Sequence, residues 1–133
     1  MENPKPTQVN KLNDVVDRLI NTLLPKASIN RSFFVNDIPD HLPLKKESPV
    51  ITSVLGGLLS TIVSNAKDSC IWLSAKLYGN VVLVHVKNAH GFSPHAIQGQ
   101  LQQLQRLAEK NRGTIGFTRH QSTITSLTFG FYP

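Results

Sequence analysis

A chain of 133 residues with 40% hydrophobic and 17% charged content suits one folded domain with a single core, and excludes a disordered or fibrous class. No apolar run approaches the ~20 residues a bilayer-spanning helix needs, and no apolar signal segment follows Met1, so membrane insertion is not expected. The net charge of +6 would suit nucleic acid, but lysines and arginines are scattered, only Lys45-Lys46 are adjacent, and no helix pairs a basic face with aromatics. That pattern argues for a solvated basic surface and against nucleic acid as the partner. One cysteine, Cys70, cannot close an internal disulfide, which favours a cytoplasmic setting and a structural thiol.

Residues 1–6 hold two prolines and no apolar cluster, and read as an arm. From Thr7, a candidate N-cap, Val9, Leu12, Val16, Leu19 and Leu23 step by three and four, with Val15, Ile20 and Leu24 widening the stripe. Pro25 is expected to end this helix. The stripe suits packing on the chain's own sheet and, as a short heptad seam, self-association. Ser32 to Asn36 reads as a strand and is followed by a proline-punctuated loop. A second helix starts near Ser48, with Pro49 at its first position, and runs through Val50, Ile51, Val54, Leu55, Leu58, Leu59, Ile62 and Val63. Gly56 and Gly57 inside it each cost about 1 kcal/mol against alanine, and close helix-to-sheet packing is the expected reason.

Ile71, Leu73, Ala75 and Leu77 alternate, turn at Gly79-Asn80, and return through Val82, Val84 and Val86 as a hairpin. Asn88 to Pro94 reads as a loop. A third helix places Ile97, Leu101, Leu104, Leu107 and Ala108 on one side among glutamines, with Gly113 as its terminal glycine. Strands near Thr114 to Arg119 and Ile124 to Phe131 close the chain. The expected architecture is an α/β (α+β) two-layer sandwich, a mixed sheet with about three helices on one face. The expected division is an N-terminal arm and amphipathic helix over residues 1–28, then a domain over 29–133.

The apolar helix, hairpin, glycine-led helix and final strand pair resemble, in order and spacing, the ATP-binding domain of sensor histidine kinases and the wider GHKL ATPase superfamily. The resemblance covers residues 30 to 133 and implies a Bergerat-like ATPase fold. Val54 to Ile62 align with the family's asparagine-box helix, which puts Gly57 and Thr61 where magnesium-holding asparagines sit. A hard cation needs oxygen ligands, and glycine supplies none. Asn65-Ala66 looks like the box but falls four residues late. Asn88-Ala89-His90-Gly91-Phe92 stands at the family's Asp-x-Gly-x-Gly motif. Asn88 replaces the adenine-binding aspartate and loses its charge-assisted bond, and Gly91 survives. Gly99-Gln100-Leu101 matches part of the second glycine motif, and Thr125 falls on the family's threonine-containing strand. Ten residues separate Asn88 from Gly99, too few for the family's nucleotide lid.

The resemblance thus implies a nucleotide site at Thr61, Asn65, Asn88, Gly91, Gly99, Leu101 and Thr125, taking ATP with magnesium weakly or not at all. No histidine phosphoacceptor stands in the N-terminal helix, and no nucleophile–base set marks a catalytic residue. None of the five histidines has acidic or cysteine companions at ligand spacing, so no metal site is expected. Trp72 is a candidate exposed contact residue. Two functions remain: a degenerate histidine-kinase-like domain of two-component signalling, or a nonenzymatic regulatory module on the same scaffold. The expected partners are a signalling protein or a second copy bound through the N-terminal helix; a fragment whose phosphoacceptor lies elsewhere is a further reading.

Overall fold

The sequence's two periodicities, 3.6 on the helices and 2 on the strands, sort it into one helical layer and one sheet. The computed structural model describes residues 10–44, 49–121 and 123–133. Its elements in chain order are β1 (Asn10–Lys11), α1 (Leu12–Ile29), β2 (Phe33–Asn36), β3 (Pro43–Leu44) and α2 (Pro49–Ser64). There follow β4 (Cys70–Tyr78), β5 (Val81–Phe92), α3 (Pro94–Glu109), β6 (Thr114–His120) and β7 (Thr123–Phe131). The main sheet has five strands in the order β2-β4-β5-β7-β6, and β1 pairs separately with β3. Only β2 runs parallel to its neighbour, so the sheet is mixed, as expected.

The core lies between the sheet and the helices. Ile71, Leu73, Val82, Val84, Val86, Leu127, Phe129 and Phe131 point inward from alternate strand positions and are fully buried. Helix α2 is the central helix: Val54, Leu55, Leu58, Leu59, Ile62 and Val63 have essentially no exposure. A helix apolar on nearly every side must be surrounded, and α1 and α3 flank it. Its two glycines face those helices, not the sheet. A Cβ on Gly56 would stand 3.4 Å from Leu19 Cδ2 of α1, and one on Gly57 would stand 2.6 Å from Leu104 Cδ2 of α3.

Several boundaries differ from expectation for local reasons. Helix α1 begins at Leu12, and Thr7 and Val9 lie outside the described residues, as do Lys45-Lys46 and the Ser48 cap. Pro25 sits inside α1, which continues to Ile29 and closes with the Asn30 amide donating to the Lys26 carbonyl at 3.2 Å. Leu12, Val15, Val16 and Ile20 of its stripe are in the chain's own core, while Leu24 and Ile29 are exposed. After α3 the left-handed residue is Arg112, with φ of 60°, and not Gly113. Gly113 answers a different need: a Cβ there would meet the Gly130 carbonyl at 3.0 Å and the Phe129 ring at 3.1 Å.

Because Leu12 is fully buried and Leu24 is about half exposed, their truncations separate core from surface on the same helix. Leu12→Ala is expected to cost about 2–5 kcal/mol, and Leu24→Ala no more than about 0.5 kcal/mol. Urea unfolding of the two variants beside the parent checks this.

Candidate functional site

The residues singled out by the resemblance fall into three places. Thr61 is on α2, where a polar cleft of about 410 Å³ opens between α2 and α3, lined by Lys26, Ser60, Thr61, Ser64, Gln100 and Gln103. Lys26 reaches across from α1, donating from Nζ to Ser64 Oγ at 3.1 Å. Within α2 the Thr61 hydroxyl donates to the Gly57 carbonyl at 2.8 Å, a back-bond to the preceding turn. Asn65 Nδ2 donates to the Thr61 carbonyl at 2.7 Å and closes the helix end. Gly99 is exposed in the second turn of α3, with nothing within 4 Å of where a Cβ would stand.

The second place is the end of β5, where the strand does not stop at Asn88 as expected. It continues to Phe92 through an irregular step: Lys87 pairs with Ser126, and the next pairing is Phe92 with Ile124. Residues 88–91 are looped out of the β5–β7 ladder, although Asn88 still pairs with Ile71 of β4, and the Asn88 side chain closes that loop. Asn88 Oδ1 accepts from the His90 amide at 3.2 Å, and Nδ2 donates to the Gly91 carbonyl at 3.3 Å. An asparagine bonding two residues on is the turn chemistry of this side chain. Gly91 has φ of +72°, and a Cβ there would stand 2.1 Å from Thr123 Cγ2. Asn88 is 4% exposed, so its amide is buried and spent on its own loop.

The third place is a groove of about 520 Å³ between α3 and the edge strand β6, with Leu101, Ile115, Phe117 and Ile124 in its walls. Leu101 therefore looks away from the Thr61 cleft. Thr125 is the extra residue of a bulge: Thr118 pairs with Ser126 and Arg119 with Ile124. Its hydroxyl donates to the Thr118 carbonyl at 3.3 Å. Gln105 crosses the groove, its Oε1 accepting from the Ile115 amide at 2.6 Å.

The glutamine-rich helix was informative in a way its composition did not reveal. Gln100 and Gln103 face the α2 cleft, while Gln105 caps an outward amide on the sheet edge. Lys26 was missed as well, because its meeting with Ser64 depends on α1 and α2 coming together. The one available signal was Ser60 and Ser64, four apart on a largely apolar helix.

Among the described residues no group of three His, Cys, Asp or Glu side chains could hold a metal ion. Arg31 grips Asp68 through Nε–Oδ1 at 2.6 Å and Nη2–Oδ2 at 3.0 Å, and that hydrogen bond draws the carboxyl below its ordinary pKa. His85 lies on the sheet face away from the helices, its Nδ1 3.1 Å from Thr128 Oγ1. Burial, with Lys87 and Lys76 nearby, lowers its pKa below the ordinary histidine value.

No protein-family model and no curated protein sequence matches the chain. Solved structures do. The histidine kinase AdeS of Acinetobacter baumannii matches with a TM-score of 0.76 at 11% identity, over 94% of this chain and 66% of that one. The catalytic domain of histidine kinase ThkA matches with a TM-score of 0.73 at 16% identity, over 94% of this chain and 95% of that one. Full-length ShkA in complex with AMPPNP matches with a TM-score of 0.72 at 12% identity, over 98% of this chain and 32% of that one. The chain thus spans less than two-thirds of AdeS and about a third of ShkA. Its fold is that of the GHKL-type ATP-binding domains of histidine kinases, as the order of elements implied.

Two outcomes follow from the geometry. Gly91→Ala is expected to lower stability by more than about 1 kcal/mol, since it adds a left-handed alanine and a collision with Thr123. Thermal unfolding beside Gly79→Ala, whose site has φ of +60° but open space, isolates the collision. For His85 the unfolded state binds the proton more readily, so stability falls as pH drops from the ordinary histidine value towards the lowered one. His85→Gln is expected to flatten that part of the profile, measured by urea midpoints between pH 7.5 and pH 5, roughly the range over which a histidine changes charge.

Proposed function

We propose that this chain is a histidine-kinase-like domain of two-component signalling that acts by protein contact, with nucleotide bound weakly or not at all. The observation that carries the reading is the seat of Leu104 against Gly57. By the resemblance Gly57 occupies a magnesium-ligand position, and the space a ligand side chain would need is filled by the neighbouring helix. Further support comes from how the candidate residues are spent. Thr61, Asn65 and Asn88 each bond their own backbone surroundings, and Gly91 and Thr125 serve a loop and a bulge. We read these residues as parts of a scaffold retained from a nucleotide site. The cleft offers Lys26 and amides but no carboxylate, a poor surrounding for magnesium, which favours carboxylates and phosphate oxygens.

The absent lid fits the same reading. Helix α3 starts at Pro94, six residues after Asn88, and packs straight onto α2. The contact reading draws on a neighbour of the same fold, ThkA, solved in complex with response regulator protein TrrA. A helix-mediated homodimer would have to use the exposed Leu24 and Ile29 of α1, because Leu12 and Val16 are committed to the core. We infer a cytoplasmic setting from the unpaired thiol of Cys70. No helix is long and apolar enough to cross a membrane among the described residues.

Calorimetric titration of the chain with ATP and magnesium tests this. Each lost charge-assisted hydrogen bond costs about 1.5–3 kcal/mol, roughly ten- to hundredfold in affinity. The expected result is therefore no binding tighter than high micromolar and no autophosphorylation. Submicromolar magnesium-dependent binding, or turnover lost in Asn88→Ala, would overturn it. Gly57→Asn, which restores a ligand type, is expected to lose about 1–3 kcal/mol of stability by displacing Leu104, without gaining ATP affinity.

A further inference from the structure

The three helices lie on one face of the sheet, and the other face is open. Alternation along the strands places Phe33 and Val35 of β2, Trp72 and Lys76 of β4, and His85 and Lys87 of β5 on that open face. Trp72 stands directly opposite Lys87 on one side and Val35 on the other. It is 48% exposed, unusual for a large aromatic on an inner strand of a sheet, and Phe33 on the edge strand β2 is 58% exposed. Beside Trp72 the surface dips into a recess of about 480 Å³, walled by Cys70, Trp72, Ser74 and Lys87.

Within the strands the charge on this face has one sign, while the exposed Asp37 follows directly on β2 at its edge, its amide donating to the Leu73 carbonyl at 2.8 Å. No strand of the sheet contains an aspartate or glutamate. Neither Lys76 nor Lys87 has a carboxylate partner among the described residues. Both act on His85 as uncompensated positive charges. An apolar patch with a recess, rimmed by unpaired lysines, complements an apolar side chain flanked by carboxylates.

We propose that the open sheet face docks an acidic segment of a partner protein, its apolar anchor seated in the recess beside Trp72 and its carboxylates meeting Lys87 and Lys76. Single-stranded nucleic acid fits less well. None of the residues placed on this face is an arginine, and two lysines neutralise few phosphates. The inference rests on the reading of the chain as a contact module, yet its test is separate: ATP calorimetry reads the cleft, and Trp72 reads this face.

Trp72 is the chain's one tryptophan, so its fluorescence reports on the recess without labelling. The probe is an acetylated peptide of aspartates and glutamates with one central phenylalanine and no tryptophan. A saturable change in Trp72 emission is expected. Lys76→Glu with Lys87→Glu should weaken it by about tenfold or more, while Lys110→Glu at the far end of α3 should change it by less than about twofold. Circular dichroism of each variant should match the parent, since all three lysines are exposed. No saturable change would overturn the proposal. So would an equal loss from Lys110→Glu, which would mean net charge alone, or tighter binding of an oligothymidylate than of the peptide.

Discussion

Gly57 of α2 sets how closely α3 can approach it. A Cβ on Gly57 would stand 2.6 Å from Leu104 Cδ2, while one on Gly56 would make an ordinary contact with Leu19 of α1 at 3.4 Å. Interior glycines cost about 1 kcal/mol each in helix propensity, and the close packing they permit offsets that. The consequence for the site is direct. A side chain at residue 57 would have to displace the end of the Leu104 side chain from α3. The polar cleft between Thr61 and Gln103 is what remains beside that contact.

At the other end of the layer, two chain reversals are tied to each other. Arg31 and Asp68 both adopt left-handed backbone, with φ of 54° and 51°, where α1 turns into β2 and α2 turns into β4. The Asp68 amide donates to the Asn30 carbonyl at 2.9 Å, and Asn30 Nδ2 donates to the Val63 carbonyl at 2.8 Å. Ser32, buried between them, donates to Ala66 O at 3.1 Å and accepts from the Ser69 amide at 3.2 Å. These bonds fix the register of the one parallel pair in the sheet, Phe33 beside Cys70. The exposed Arg31–Asp68 pair lies over this junction. Solvent screens it, so the buried serine network is the stronger determinant of register.

Much of this was legible from period alone. The alternating runs of β4 and β5 and the broad apolar face of α2 predict their elements closely, because each buries its apolar set against one continuous partner. What period could not show was which neighbour each face would meet. Gly56 and Gly57 were read as contacts with the sheet and proved to be contacts with helices, since a central helix has three neighbours and its sequence carries no label for them. Pro25 was read as a stop. In the structure α1 runs four residues beyond it, and only the loss of one amide donor marks the site. The candidate site was legible as a list of positions but not as a place. Thr61, Asn88 and Leu101 stand at a cleft, a strand loop and a groove.

That separation bears on how an eroded motif should be read. A glycine with positive φ beside an asparagine can be kept because a nucleotide approaches the backbone there, or because the backbone itself must turn there. At Asn88–Gly91 the second demand is complete without the first: the amide is bonded on both its oxygen and its nitrogen, and the glycine has Thr123 where its Cβ would go. The looped segment also lets β5 re-enter the ladder at Phe92, which is 2% exposed and closes the core above Ile124. Folding therefore retains Asn88 and Gly91 on its own account. It makes no such demand on Lys76 and Lys87, which have no carboxylate partner among the described residues, or on the exposed face of Trp72. The residues that most resemble a nucleotide site are thus the ones the fold explains. The ones it leaves unexplained are on the opposite face of the sheet.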